Sequence, residues 1–491
     1  MRDSSKKKAH ASSRQNLDWK SIEWKTVEPK VRKLQVRIAK AVREGRHRKV
    51  RSLQWLLTHS YYAKLLAVKR VVTNKGGKTP GVDGVVWKTP KQRMQAVSQL
   101  YRRGYCPLPL RRVYIRKKSG KRRPLGIPTM RDRGMQALYL LALAPVAETT
   151  ADLHSYGFRE YRRCADAIEQ CFVCLSRRRS ARWVLEADVE ACFDRIDHDW
   201  MLNNILIDKK ILEAWLKAGY IEKGRIYPTK AGTPQGGIAS PTLANMTLDG
   251  LESAVKSAAP KNSKVNVIRY ADDFIVTGDT KAVLQEHVIP AIREFLRERG
   301  LNLSGEKTKI TRIEDGFDFL GQHLRKFGDK LIITPSKSAV RSVIDRIRRI
   351  MKACLGLKTW AMVRQLNSSI RGWVNYHRHV CSKDTFSHVD NCVYKNLWNW
   401  MKRRHSDKGK RWLYDKYFRA VGSRNWVFFS SEKTGGGESR IMDLLVASTT
   451  KIVRHIQIKA RANPYDKAWD GYFDARIARR RCSPVPVRSL W

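Results

Sequence analysis

The chain has 491 residues, 98 of them Lys or Arg against 45 Asp or Glu, for a formal charge of +53. That excess points to a polyanionic partner, and nine scattered cysteines, an odd number in a long basic chain, argue against a disulfide framework. The polar opening MRDSSKKKAHASSRQN lacks the apolar segment of a secretory leader, and the longest apolar run, Ala137 to Ala147, is too short for a bilayer and contains Pro145, so no membrane partner and a cytoplasmic location are expected.

In chain order, residues 1–16 carry no periodicity and are expected to be disordered. Val31, Leu34, Ile38 and Val42 then recur at helical spacing, and Val50, Leu53 and Leu57 begin a second helix. Residues 1–60 hold 17 Lys or Arg against 5 acids, which reads either as a surface for a phosphate backbone or as ordinary solvated helix faces. Gly76 to Gly84, GGKTPGVDG, is a turn-rich loop. In VYIRKKSGKRRPLGI a Ser-Gly turn predicts a hairpin that brings Arg111, Lys117 and Arg123 over one site. Ala137 to Ala147 reads as a core helix. The single CxxC, Cys171 to Cys174, has no matching pair, so buried helix thiols are favoured over zinc.

ARWVLEADVEACFDRIDH reads as a strand ending at Asp188, followed by a turn from Phe193 to His198, and Asp197 before WMLNNIL is the expected cap of a helix. Gln235, Gly236 and Gly237 form a tight loop, after which Ser240 and Pro241 look like a helix cap and first turn. In VNVIRYADDFIVTG, side chains alternate faces along a strand, so Asp272 and Asp273 converge only if the chain turns there, with the acids at a hairpin tip. Three acids on two strand ends suit Mg²⁺, although Asp is also common in solvated turns. From Ser336 onward Val340, Val343, Ile344, Ile347 and Met351 keep helical spacing. Trp373, Tyr376, Trp398 and Trp400 follow among cations, most of them as core and some as platforms for unpaired bases.

YADD from Tyr270, LEADVEACFDRIDH from Leu185 and GTPQGGIASPTLAN from Gly232 together resemble a reverse transcriptase palm, and RRVYIRKKSGKRRPLGIPTMRDRGMQ from Arg111 resembles its fingers. GLNLSGEKTKI from Gly300 and FDFLGQHL from Phe317 resemble the last palm motifs. TNKGGKTPGVDG from Thr73, RGWVNYHRHV from Arg371 and RHIQIKARANPYDKAWDGYFDARIARR from Arg454 are similar to the group II intron-encoded proteins, reverse transcriptases that also act as maturases. The resemblance implies an α+β right-handed polymerase fold. It would comprise a basic helical N-terminal extension (1–72), fingers and palm (73–330), a helical thumb or maturase domain (331–440) and a basic DNA-binding segment (441–491).

It also implies roles. Asp188, Asp272, Asp273 and the carbonyl of Val189 would hold two Mg²⁺ ions, Asp272 bridging them and Asp273 acting less directly. Arg111, Lys117, Arg123, Phe193 and Gln235 would receive the dNTP, with Phe193 excluding a 2′-hydroxyl. Arg116 stands where the family usually has proline. Lys307, Lys309, Trp373 and Tyr376 would touch nucleic acid, and FLGQHL, Phe319 to Leu324, would support the primer end. The implied partners are group II intron RNA, an RNA template with a DNA primer, and target DNA. Relatives that cleave DNA carry further cysteine pairs, whereas only Cys482 falls in the last segment here, so a C-terminal endonuclease domain is not expected. The alternative function is a related enzyme recruited to CRISPR spacer acquisition or DNA repair.

Overall fold

A computed structural model describes residues 18–116, 120, 122–233, 235–433 and 439–481. The disorder expected for residues 1–16, the side chain of Lys117 and that of Cys482 lie outside the described residues. After a short 3-10 turn at Trp19–Ser21 come three helices: Trp24–Arg43 (α1), His47–His59 (α2) and Tyr61–Thr73 (α3). Val31 and Ile38 of α1, Val50, Leu53 and Leu57 of α2, and Leu65 and Val68 of α3 are buried, so their apolar stripes share one core. Pro90–Gln99 (α4) begins with a capping box in which Thr89 and Gln92 satisfy each other's backbone N–H groups.

The hairpin of Leu110–Arg116 (β1) and Arg122–Ile127 (β2) runs antiparallel from Arg111 opposite Ile127 to Arg116 opposite Arg122. Met130–Thr150 (α5) is buried on nearly every side, the pattern of a central core helix, and α1, α2 and α3 pack against it. Among the described residues no helix is long and apolar enough to cross a membrane. In Cys164–Leu175 (α6), Cys171 is fully buried and burial pushes its thiol pKa up, as a structural thiol requires.

The strand Trp183–Asp188 (β3) leads into Cys192–Arg195 (α7), His198–Asn204 (α8) and Lys209–Leu216 (α9). Asp197 caps α8 by accepting from the Trp200 N–H at 2.6 Å. Tyr220–Glu222 (β4) and Arg225–Tyr227 (β5) extend the fingers sheet in the order β2-β1-β4-β5. Ser240–Leu248 (α10) starts at Ser240 itself, so the cap position falls to Ala239, one residue earlier than expected. After Leu251–Ala258 (α11) come Asn266–Tyr270 (β6), Asp273–Gly278 (β7), Ile289–Arg297 (α12) and Lys309–Arg312 (β8). These strands and β3 form an antiparallel sheet in the order β6-β7-β3-β8. Its central strands bury Val184, Leu185, Phe274, Ile275 and Val276, and burial of both faces explains their near-continuous apolar runs.

A third sheet, Phe317–Phe319 (β9), Gln322–Phe327 (β10) and Lys330–Pro335 (β11), is followed by helices Lys337–Ala353 (α13), Thr359–His377 (α14), Lys383–Arg404 (α15) and Lys410–Tyr417 (α16). Val343, Ile347 and Met351 meet Phe386, Leu397 and Trp400 in the core of this helical unit. Phe418–Val421 (β12), Arg424–Lys433 (β13) and Ser439–Asp443 (β14) form a fourth, small sheet. Hydrogen bonding carries β11 across residue 331 and β14 across residue 441, so the two expected boundaries fall inside strands. The remaining segment, ending in Asp470–Arg481 (α17), folds back on the palm. There His455 Nε2 and Arg476 meet the buried Asp166 at 2.8 and 2.9 Å, and Arg162 donates to the carbonyl of Ala460 at 2.9 Å.

Candidate active site

Antiparallel pairing of β3 and β7 sets Asp188 directly opposite Asp273, the last rung of that ladder. Tyr270 pairs with Asp273 across β6 and β7, leaving Ala271 and Asp272 as a two-residue turn. Ala271 has φ +59°, the sign that a primed hairpin turn needs at its first position, so the strands stay paired up to the tip. All three carboxylates therefore belong to one end of the sheet. Val189, the next residue after Asp188, is buried and bridges to Leu303.

The turn is held from below by a buried cation. Arg269, 1% exposed, ion-pairs with Asp249 and reaches the Asn245 Oδ1 at 3.3 Å and the Ala271 carbonyl at 3.5 Å. Asn245 in turn donates to the Gly157 carbonyl at 2.7 Å. Gly157 lies so close to the turn that a Cβ there would come within 2.4 Å of the Ala271 nitrogen.

Crowding raises the pKa values of two of the acids. For Asp272 the cause is burial, then the charge of Asp188, partly offset by Lys307 and Arg123. Asp273 rises to about 7 through burial, a hydrogen bond shared with Asp188, and the charge of Asp272, although its side chain keeps an open edge. Lys307 donates to the Asp188 carboxylate, and that bond raises its own pKa. Among the described residues no three His, Cys, Asp or Glu side chains form a ready-made metal cage. The donor chemistry still fits Mg²⁺, which binds through one or two carboxylates and completes its shell with water and substrate phosphates. Mutually repelling carboxylates are a site where a hard cation lowers the energy.

A stability effect follows. An unfolded chain releases the Asp273 proton near pH 3.8, whereas the folded protein keeps it to about 7, so stability from this group falls as pH rises through that window. Without metal, an Asp273→Asn variant should therefore melt above the parent, with a gap that widens from pH 4 to 7 and then levels off. Screening at the open edge holds the gap to about 1 kcal/mol. Thermal melts of both proteins in chelator test this, and a gap independent of pH would refute it.

Around the acids, the other predicted residues divide. Arg123 is exposed and its charge bears on Asp272. Arg111 donates to the Pro80 carbonyl at 2.9 Å, and Arg133 to that of Gly76 at 2.8 Å, so cations pin the 76–84 loop to the fingers. Gln235 donates to Asp194 at 3.0 Å, and its own carbonyl accepts from the Gly126 N–H at 2.7 Å, joining fingers to palm. Gly236 next to it has φ +120°, and a Cβ there would strike the Gly126 oxygen at 2.7 Å. Phe193 is half-buried with its carbonyl accepting from Thr233 at 2.7 Å. Lys309 pairs across strands with Glu186. Trp373 and Tyr376 lie on α14, where Trp373 packs on Phe386 and Tyr376 donates to the Leu320 carbonyl at 2.7 Å. That carbonyl belongs to the Phe319–Leu324 turn, in which Leu320 and Gly321 both have positive φ.

Two contacts at the site had no signal in the sequence. Phe158 projects beside Phe193, edge-on at 6.4 Å between ring centroids, with φ +55°. A bulky residue in the left-handed region persists only where its surroundings hold it, here through Gly157 and the bidentate Arg159–Glu148 pair. Lys307 was expected to meet template or primer phosphates, and its contact with Asp188 arises from tertiary placement alone.

Comparison with known proteins gives three family matches: "Reverse transcriptase (RNA-dependent DNA polymerase)" over residues 115–324, "N-terminal domain of reverse transcriptase" over 19–100 and "Group II intron, maturase-specific domain" over 340–418. Protein YkfC of Escherichia coli is 34% identical across 55% of this chain and 82% of its own length. The group II intron-encoded protein LtrA of Lactococcus lactis is 28% identical across 56% of this chain, and the match spans only about half of LtrA, 56%. A telomerase structure from Candida albicans aligns with TM-score 0.36 and 12% identity, covering 71% of this chain and 64% of that one.

Proposed function

Because the chain belongs to the family of group II intron-encoded reverse transcriptases that carry a maturase-specific domain, we propose that it copies RNA into DNA and assists the splicing and mobility of its own intron. One observation carries the polymerase reading: Asp188 and Asp273 share the last rung of a buried sheet, with Asp272 in the adjoining turn. In the reaction the primer 3′-oxygen attacks the α-phosphorus of a dNTP, a phosphodiester bond forms, the bond to the β-phosphate oxygen breaks, and pyrophosphate leaves. Asp188 and Asp272, with Asp273 and the Val189 carbonyl in support, would hold two Mg²⁺ ions. Bound there, Mg²⁺ lowers the pKa of the attacking hydroxyl and neutralises charge on the leaving oxygens. Arg123 and Lys117 of the fingers hairpin would grip the triphosphate, and Arg111 would keep the loop behind them in place.

Phe193 would reject ribonucleotides by contact with the 2′-hydroxyl, with Phe158 supporting its ring. Phe193→Ala should lower dNTP-over-rNTP discrimination on the order of 100-fold. Phe158→Ala should lower it by about fivefold, since an edge-on ring pair contributes about 1 kcal/mol. Single-nucleotide incorporation, read as kcat/KM for each nucleotide, decides both. Unchanged ratios would remove the sugar-sensing role.

The helical unit would hold intron RNA as well as the template–primer duplex, and target DNA would meet the basic surface. The maturase-specific match favours splicing assistance over spacer acquisition or DNA repair. Sequencing of RNA that copurifies with the protein tests this: an intron lariat supports it, and a random RNA mixture overturns it.

A further inference from the structure

Helix α2 exposes Arg51, Trp55 and His59 at intervals of four residues, so they share one stripe of the helix. Trp55 is 57% exposed and stacks on His59 with centroids 4.2 Å apart and planes 26° apart. So large an indole left open beside an arginine is the composition of a stacking platform for nucleic acid. It borders a cleft of about 780 Å³, within the range of nucleotide-sized sites.

The cleft has two chemically different sides. Arg51 and Trp55 come from α2, while Asn203 and Asn204 end α8 and Asp208 caps the start of α9. Asn204 donates its amide N–H to the Trp200 carbonyl at 2.8 Å, and Asp208 is ion-paired with Arg102, so both side chains are held in position. Amide and carboxylate groups of this kind hydrogen-bond base edges. His47 adds an imidazole and Lys209 a cation at the rim, and a second depression is lined by Arg37, Lys40, Arg46 and Lys49 with one acid, Glu44, among them. A base inside a duplex cannot enter such a cleft, because both of its faces are already stacked.

We propose that this cleft binds one unpaired nucleotide of a structured RNA, its base on Trp55, its edge toward Asn203 to Asp208, and its flanking phosphates on Arg51, His47 and Lys209. The choice of RNA rests on the proposed function; the pocket lies outside the strands that carry the aspartates. The test uses the full chain at fixed salt, with fluorescence polarisation of a hairpin RNA bearing an unpaired loop and of a blunt RNA duplex of equal length. Trp55→Ala should weaken the hairpin by about tenfold, leave the duplex unchanged, and keep the parent melting temperature, while Trp55→Phe restores most of the binding. Equal loss on both RNAs, or no loss on the hairpin, overturns the proposal. So does free AMP competing at the hairpin's own concentration range, which would make this a mononucleotide site. Trp55→Ala should extend an annealed primer at the parent rate and Asp272→Ala should bind the hairpin undiminished, so failure here is distinguishable from failure of the polymerase reading.

Discussion

Asp272→Ala is expected to abolish primer extension, by about a thousandfold or more, while the protein still folds and binds RNA. Asp272 sits in the two-residue turn between β6 and β7, and no other side chain of that turn can replace its carboxylate. Loss of a group that positions catalytic metal removes several kcal/mol of transition-state stabilisation, and each 1.36 kcal/mol is a factor of ten in rate. Folding should not suffer, because burial and the charge of Asp188 both disfavour a charged carboxylate at this position. Its removal relieves repulsion. Extension of a labelled DNA primer on an RNA template, with melting temperature and RNA affinity measured in parallel, separates the effects. Extension within about tenfold of the parent would end the proposed role of Asp272.

Arg269→Ala is expected to have the largest effect on stability, about 3–5 kcal/mol, and to disable the site indirectly. Arg269 is almost fully buried with Asp249 as its partner, and burial already pushes the Asp249 carboxyl up to about 7 despite that cation. Without the guanidinium, Asp249 must be protonated or left as an unpaired buried charge, and the Asn245 and Ala271 oxygens lose a donor. The cost comes from stranding the partner more than from the pair itself. Arg269→Met combined with Asp249→Leu should therefore recover a substantial part of the loss, because an apolar pair of similar volume leaves no stranded charge. Denaturant unfolding of the three variants checks this. A double variant no more stable than Arg269→Ala would locate the cost elsewhere, for example in the turn itself.

Much of the fold is legible locally. The stripes at Val31, Leu34 and Ile38 and at Val343, Ile347 and Met351 are helical because a 3.6-residue period places them on one face, and they are buried or half-buried there. The Ser-Gly turn and the adjacent acids at Asp272 and Asp273 likewise mark two hairpins, since turn chemistry acts over a few residues. Less legible were the helix start at Ser240, where capping differs by one residue, and the course of the chain after Asp443. That stretch reads as a basic tail, yet its His455 and Arg476 converge on a buried aspartate. Scattered polar residues carry no periodicity that would announce such a partner.

By itself the sequence pointed to a polyanionic partner, and determined which segments are helices and which are paired strands, and that two acids stand where a strand must turn. Periodicity, composition and turn propensity are properties of neighbours along the chain, and neighbours are all a sequence displays. Only the tertiary structure decided that Asp188 faces Asp273 across a rung, that Lys307 bonds Asp188, that Phe158 abuts Phe193, and that Arg269 lies beneath the turn. Those contacts depend on strand register and on the packing of remote segments. They are set by the burial of whole faces, where a one-residue slip would send each side chain to the opposite side of the sheet.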